Sequence, residues 1–504
     1  MVLASPLLRT GPFRSLCPSV PAFVRCFQGA RWGICFVADS GAVYRGRARV
    51  TTASEASERL SAYHIVLLLL LGIATLYEGF DASMLTLASV DVRATLGIGL
   101  DDWGTVYAIT RAGMVASFFF LMGADHFGRR NLLVLTVAGF SLASLATAFA
   151  QTAWEFTLWQ TIARLFLTAQ YGLAIIIAGE ELPSRFRGTG ITVLTAFATV
   201  GTVAMAKASP FFLLLEGAAG NPAHDFAMSL VEAGAASLAI PYDAAHWRGL
   251  YLIGALPLFL LPVLYFGVRE TARFTAVASG RAAMTLRQTL AHQVSEAKRL
   301  FEPRYLPRVN IVSLLWNCVY LVIAPAVAYW AIYAREDVGM TPAEVGDVVM
   351  WAYIAGAFGH LLAGQLIDRL GRKITCAAFY AIAAVAIVGL FHTQTVPGQY
   401  FWHITTVFFF NCAIGATHVY ASELFPTDLR ATGYGWTTNL FGRATEVLVP
   451  LMIAALIPVM GISWAITLVA IGPVLGAVLV LRYAPETKGL SLEEIQDHLE
   501  RGRV

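Results

Sequence analysis

Charge is scarce in this sequence. Asp, Glu, Lys and Arg make up 13% of its 504 residues, where a soluble domain carries about 25%. So little charge cannot cover a water-soluble fold of this size, which excludes a soluble enzyme and a nucleic-acid binder. A hydrophobic content of 57% excludes a disordered chain. Neither sign dominates, with 35 basic against 32 acidic residues. Cysteine is scarce as well, and six in a chain this long make no disulfide framework. Cys17, Cys26 and Cys35 fall near the N-terminus, and Cys318, Cys376 and Cys412 sit in apolar runs, where a thiol behaves as a small core residue. There is no phosphate-binding P-loop, no Gly-rich dinucleotide loop and no zinc spacing. No cofactor, no metal, no catalytic centre and no nucleic-acid partner are therefore expected.

What is present is apolar length. A helix needs about 20 apolar residues to cross the hydrocarbon. Twelve such runs occur, at roughly 64–87, 102–122, 131–150, 155–179, 189–213, 249–268, 310–333, 343–366, 374–391, 401–421, 432–456 and 461–482. They predict an all-α membrane protein with twelve transmembrane helices. Lys and Arg concentrate in the loops after the even-numbered runs and in the C-terminal tail. The alternate loops carry Arg93, Arg248 and Arg335 among acids such as Asp91, Asp101, Asp102, Glu336 and Asp337. The positive-inside rule then places both termini in the cytoplasm.

The chain divides into a tail (1–63), a six-helix half (64–268), a central loop (269–308), a second half (309–482) and a C-terminal tail (483–504). Up to residue 38 the first tail has four arginines and no acid. That reads either as a transit-type segment or as an over-extended start. The central loop holds eight bases, and Leu286, Leu290, Val294, Ala297 and Phe301 have near-helical spacing. This predicts an amphipathic helix against anionic lipid. Ser491 and Glu494 read as a capping box for a short terminal helix.

The two halves repeat. Asp125, Gly128 and Arg129 recur 243 residues later as Asp368, Gly371 and Arg372, and Glu180 and Arg187 recur at the same offset as Glu423 and Arg430. Glu270-Thr271 recurs as Glu486-Thr487 at an offset of 216, so the first half carries 27 extra residues near 214–246. Parallel six-helix repeats are the footprint of a transporter whose site lies between the halves.

Gly364-Gln-Leu-Ile-Asp368-Arg369-Leu-Gly371-Arg372-Lys373 resembles the loop signature of the major facilitator superfamily. Its first copy departs at Leu121 and His126. Pro485-Glu486-Thr487-Lys488-Gly489 and Glu180-Glu-Leu-Pro183-Ser-Arg185-Phe-Arg187-Gly188 are similar to signatures of its sugar-and-other-metabolite branch. The resemblance covers about 60–500. It implies the twelve-helix fold, alternating access, and inner-gate latches built from Asp125, Gly128, Arg129, Glu180 and Arg187 in one half and Asp368, Gly371, Arg372, Glu423 and Arg430 in the other.

Ionisable groups inside the spans cost at least about 2.5–3.5 kcal/mol each, so each needs a reason. Glu78 and Asp81 share one face of span 1, and Arg111 and Arg164 lie at similar depth on spans 2 and 4. The four are expected to meet within the first half. The positions 243 residues on are Leu321, Ala324, Ile354 and Val407, so the second half lacks this set. Glu78-Gly-Phe-Asp81 resembles the span-1 signature of the aromatic-acid:proton symporters, with Glu in place of the first Asp. That resemblance implies proton coupling and an organic carboxylate substrate. Asp81 is then the expected proton carrier, with Glu78 assisting. Arg111 or Arg164 would hold the substrate anion, since guanidinium binds carboxylate bidentately. Arg443 and Glu446, three residues apart on span 11, are expected to satisfy each other or to reach substrate. Trp316, Asn317, Tyr320, Asn411 and Asn439 are candidate lining from the second half. His360 and His418 read as hydrogen-bonded structure before proton groups.

The reading is a monomeric multi-pass transporter in the bacterial inner membrane. It moves a small organic metabolite, with an aromatic or other organic acid favoured, together with a proton, among membrane lipid. A sugar or polyol symporter is the alternative. A drug:proton antiporter ranks lower, because span 5 lacks the Gly-Pro-x-x-Gly-Gly pattern. A non-transporting receptor on the same fold is the alternative of another class.

Overall fold

The computed structural model describes residues 26–29, 32–35, 60–122, 128–183, 186–213, 222–237, 246–271, 294–295, 297–323, 328–426, 429–490 and 492–500. In the N-terminal tail, strands β1 (Cys26–Gly29) and β2 (Trp32–Cys35) pair antiparallel, with Phe27 opposite Ile34.

From residue 61 the described elements are all helices. The first half comprises span 1 (Ala62–Leu87), span 2 (Leu100–Met122), span 3 (Arg129–Ala148), span 4 (Ala153–Glu181), span 5 (Arg187–Leu213) and span 6 (Trp247–Gly267). The second comprises span 7 (Leu306–Ile323, then Trp330–Glu336), span 8 (Pro342–Leu370), span 9 (Arg372–His392), span 10 (Val396–Glu423), span 11 (430–460) and span 12 (462–483). Gly461, at φ 76°, breaks the chain between the last two, a conformation that costs a glycine little.

Local chemistry sets the ends. Thr152 Oγ1 accepts from the Glu155 amide at 3.2 Å. Thr341 and Glu344 form a capping box, with Pro342 in the first turn. Span 6 tightens to a 3-10 turn at Leu256–Leu260, where Pro257 and Pro262 remove donors.

The predicted loop near 214–246 contains a helix, Pro222–Ser237, with Met228 and Val231 turned inward. Leu286, Leu290 and Ser491 lie outside the described residues. At the described end of the central loop the apolar face is part covered and part open, with Val294 and Phe301 well exposed. Ala297 and Leu300 are buried, and Phe301 meets Trp436 and Phe441 edge-on at 6.1 and 6.2 Å. The terminal helix forms over Leu492–Glu500.

Three apolar cores hold the bundle. One belongs to the first half, around Leu71, Leu133, Phe140 and Leu173. A second belongs to the second half, around Leu315, Trp316, Tyr380 and Tyr420. Both lie toward the end carrying the Gly-Arg loops, here the basic end. The third draws on both halves at the opposite, acidic end, with Trp103, Phe156 and Trp247 packed among Tyr329, Trp330 and Tyr333. Large apolar side chains such as Leu69, Val385, Leu468 and Val474 cover the outside of the bundle, as a lipid-facing surface requires.

Candidate functional site

Midway along the bundle the scarce charges gather. Asp81 is buried on span 1, and Arg164 of span 4 closes on it. The Arg164 Nη2 lies 3.3 Å from Asp81 Oδ2 and donates to the Asp81 backbone carbonyl at 2.8 Å. Glu78, one turn away, is half-buried, and among the described residues no cation lies within 4 Å of its carboxylate. Its charge acts over longer range with Arg164, Arg443 and Arg111.

Arg111 does not join this group. Its Nη1 donates to Glu446 Oε2 of span 11 at 3.3 Å, and its Nη2 to the Tyr107 hydroxyl at 2.5 Å. The expected four-charge cluster inside the first half is thus divided. The reason is the stripe on which Arg111 lies. Gly104, Arg111, Met114 and Phe118 repeat at helical spacing on one face of span 2, and that face abuts span 11. A side chain at Gly104 would begin 2.6 Å from the Pro450 carbonyl and 2.4 Å from Ala454. Phe118 meets Trp436 edge-on at 5.7 Å.

Glu446 is shared. Arg443 Nη1 lies 3.6 Å from the same Oε2, so the expected Arg443–Glu446 pair exists, but Arg111 is the nearer partner. Arg443 also donates from Nε to Asn439 Oδ1 at 3.4 Å and stands over the Tyr320 ring at 5.7 Å. The segment before it, Gly435–Gly442, is π-helical, a local unwinding that is frequent at functional sites.

From span 7, Trp316 stacks on Tyr320 at 5.3 Å and meets His418 at 4.8 Å. His418 pairs with the Tyr434 hydroxyl at 2.8 Å, so its ring nitrogen is engaged in structure. Among the described residues the buried Trp316 Nε1 has no acceptor. Asn317 accepts from Thr445 at 2.6 Å, and the Asn411 side chain donates to the Val407 carbonyl of its own helix at 2.8 Å and also bonds His360. His360 lies beside Gly415 of span 10.

At the basic end the loop motifs form two matching networks, each inside one half. Arg129 Nη2 lies 3.2 Å from Glu180 Oε1, and Arg372 Nη2 lies 3.2 Å from Glu423 Oε1. Thr271 donates to Glu180 and Thr487 to Glu423. Glu270 accepts from the Arg129 amide at 2.8 Å, as Glu486 does from the Arg372 amide at 2.9 Å. Gly128 and Gly371 begin spans 3 and 9 at φ 87° and 105°, and a Cβ on Gly371 would lie 2.9 Å from Glu486 Oε2. Asp125 and the Arg430 side chain lie outside what is described. Arg187 Nε donates to the Leu182 carbonyl at 3.1 Å. Asp368 sits in the last turn of span 8 instead of opening span 9, because that helix runs on to Leu370. It is mostly exposed and lies 3.3 Å from Arg372.

At the acidic end the halves are clasped by reciprocal pairs. Arg93 Nη1 meets Glu336 at 2.7 Å, and Arg335 pairs with Asp91. Lys207 pairs with Asp347 across spans 5 and 8. Sequence reasoning placed Asp91, Arg93, Arg335 and Glu336 in loops without pairing them, although Arg93 and Glu336 are 243 residues apart, the repeat offset. It also missed Tyr107, Met114 and the roles of Glu270 and Glu486. The second repeat offset was the available signal for those two acids.

The profile described as Major Facilitator Superfamily matches residues 71–445 and 321–499. The chain is 24% identical over 402 residues to the gallate transporter of Pseudomonas putida, covering 76% of this chain and 83% of that one. It is 23% identical over 460 residues to the niacin transporter NiaP of Acinetobacter baylyi, covering 86% and 97%. It is 24% identical over 392 residues to the cis,cis-muconate transport protein of the same organism, covering 76% and 85%. Among solved structures it is similar to the inward-open xylose transporter XylE from E. coli, with TM-score 0.63, 17% identity and coverage of 86% and 99%. It is likewise similar to a bacterial homolog of the human lysosomal transporter Spinster, with TM-score 0.63, 15% identity and coverage of 88% and 98%.

Proposed function

This chain belongs to the major facilitator superfamily and is a multi-pass membrane transporter, not an enzyme, and from that premise we propose that it carries a small organic carboxylate together with a proton by alternating access. Gallate, niacin and cis,cis-muconate, named for three relatives, are all organic acids. We place both termini in the cytoplasm of a bacterial cell, so that the basic end faces inward.

The observation that carries the reading is the charge balance of the central site. Arg111, Arg164 and Arg443 face Glu78, Asp81 and Glu446, three cations against three anions. In a medium of low dielectric a net buried charge is expensive. A substrate entering this site as a monoanion leaves it one negative charge in excess unless one acid takes up a proton. Binding and protonation are therefore linked. Neutralising Asp81 would strand Arg164, whereas among the described residues Glu78 has no cation within 4 Å and only longer-range ones. Glu78 is thus the group that receives the proton, and Asp81 with Arg164 forms the paired neighbour that responds. Arg111, beside Arg443, is the carboxylate seat, and Trp316, Tyr320 and His418 form a wall for a flat substrate. The paired networks at the basic end serve as latches, each tying the loops of its own half.

The test is uptake into proteoliposomes of gallate, niacin and cis,cis-muconate. An inward proton gradient is expected to raise uptake of at least one of them several-fold, and an uncoupler to remove the gain. Uptake of an uncharged sugar in place of all three acids would overturn the substrate class.

A further inference from the structure

The central site already holds an anion, and it is the protein's own. Glu446 is 2% exposed. Its Oε2 lies 3.3 Å from Arg111 Nη1 and 3.6 Å from Arg443 Nη1, so two guanidiniums, one from each half, share one carboxylate. The two contacts differ in kind. Arg443 is three residues before Glu446 on the same span, and that contact survives any movement of the halves. Arg111 is on span 2, and that contact exists only while spans 2 and 11 abut.

The donors around Glu446 are under-used. Arg111 Nη1 and Arg443 Nη1 also point at the thioether of Met114, at 3.3 and 3.9 Å, a weak acceptor. Among the described residues Arg443 Nη2 has no acceptor. Strong donors facing a weak acceptor, beside one shared carboxylate, leave these two guanidiniums with fewer anionic contacts than they can make, although Glu78 balances their charge at longer range.

We infer that Glu446 is a resident competitor, occupying on Arg111 the seat that the substrate carboxylate takes, and that substrate displaces it. The inference rests on the carboxylate reading above. When the substrate arrives its carboxylate pairs with Arg111, and Glu446 falls back on Arg443. Each guanidinium then has an anion of its own. The ion pair that joins span 2 to span 11 is exchanged for a bridge through the substrate. A neutral ligand offers Arg111 nothing in return and cannot release Glu446. Glu446 therefore sets specificity for anions, and it ties the empty carrier together across the halves.

The experiment measures binding to the purified full-length protein of gallate and of its amide, 3,4,5-trihydroxybenzamide, with niacin and cis,cis-muconate as further carboxylates. Glu446→Gln is expected to tighten carboxylate binding about tenfold and amide binding by a much smaller factor, because only the carboxylate gains an ion pair with Arg111. Glu446→Asp keeps the charge but shortens the reach, which separates displacement from the general field. It is expected to tighten carboxylate binding by a smaller factor, and it carries the test alone if the Gln variant does not fold. If the wild type binds a carboxylate and neither variant tightens it, the competitor role is overturned while the carboxylate reading stands. If the wild type binds none of the three acids, the carboxylate reading falls and this inference falls with it.

Discussion

At the scale of single residues, the charges found inside the spans are those the sequence singles out, but their partners are not. Asp81 with Arg164 behaves as a buried pair, and breaking such a pair costs about 3–5 kcal/mol because one charge is stranded. Arg164→Gln is therefore expected to lower the thermal midpoint of the solubilised protein markedly, and Asp81→Asn in the same chain to restore much of it. Additive losses in the double variant would show that the two do not act as a pair. Glu486 offers a pH handle at the basic end. Burial pushes its carboxyl up, but the backbone amides of Lys373, Arg372 and Lys488 outweigh burial and hold it below the ordinary carboxylate range. A carboxyl depressed in the fold contributes stability above the ordinary range and loses it as pH falls through its own lower value. Glu486→Gln is expected to melt earlier than the wild type at neutral pH, and the two curves are expected to converge in acid. A gap that persists in acid would contradict that sign. Composition and spacing mark Arg111 as a costly charge, yet only the packing of span 2 on span 11 turns it away from its own half toward Glu446.

At the scale of elements, the helices were legible because twenty apolar residues in a row have few other fates. The repeat located the loop networks for the same reason. What could not be read is how two halves meet, since that depends on faces rather than runs. Gly104 is the clearest case, because a lone glycine in an apolar span carries no visible instruction. In the structure its missing side chain lets span 2 lie against the Pro450 carbonyl. Gly104→Leu is expected to keep spans 2 and 11 apart at the acidic end. Net uptake should fall at least about tenfold, while gallate or niacin added from that side still binds, as measured in vesicles of known orientation. Full uptake by this variant would mean that the contact does not open and close during transport. The helix Pro222–Ser237 was missed because its residues stand among loop-like Gly, Asn and Pro.

At the scale of the whole molecule, two halves built to one plan carry unlike interiors. The clasp of Arg93 with Glu336 and Arg335 with Asp91 repeats across the pseudo-twofold, as do the networks around Glu180 and Glu423. These symmetric parts suit an exchange between two matched conformations. The central site is not symmetric. Glu78, Asp81, Arg111 and Arg164 come from the first half, and Arg443 and Glu446 with the aromatic wall come from the second. On the proposed reading, symmetry governs the movement and asymmetry governs what is carried. The central claim is that one carboxylate enters with one proton received at Glu78. Its most direct measurement is the pH inside proteoliposomes loaded with a pH-sensitive dye, when gallate, niacin or cis,cis-muconate is added outside with no gradient imposed. Against protein-free liposomes, the wild type is expected to acidify the lumen in step with uptake and Glu78→Gln to abolish that acidification. Carboxylate entry by the wild type without acidification, or acidification undiminished in Glu78→Gln, would contradict the account.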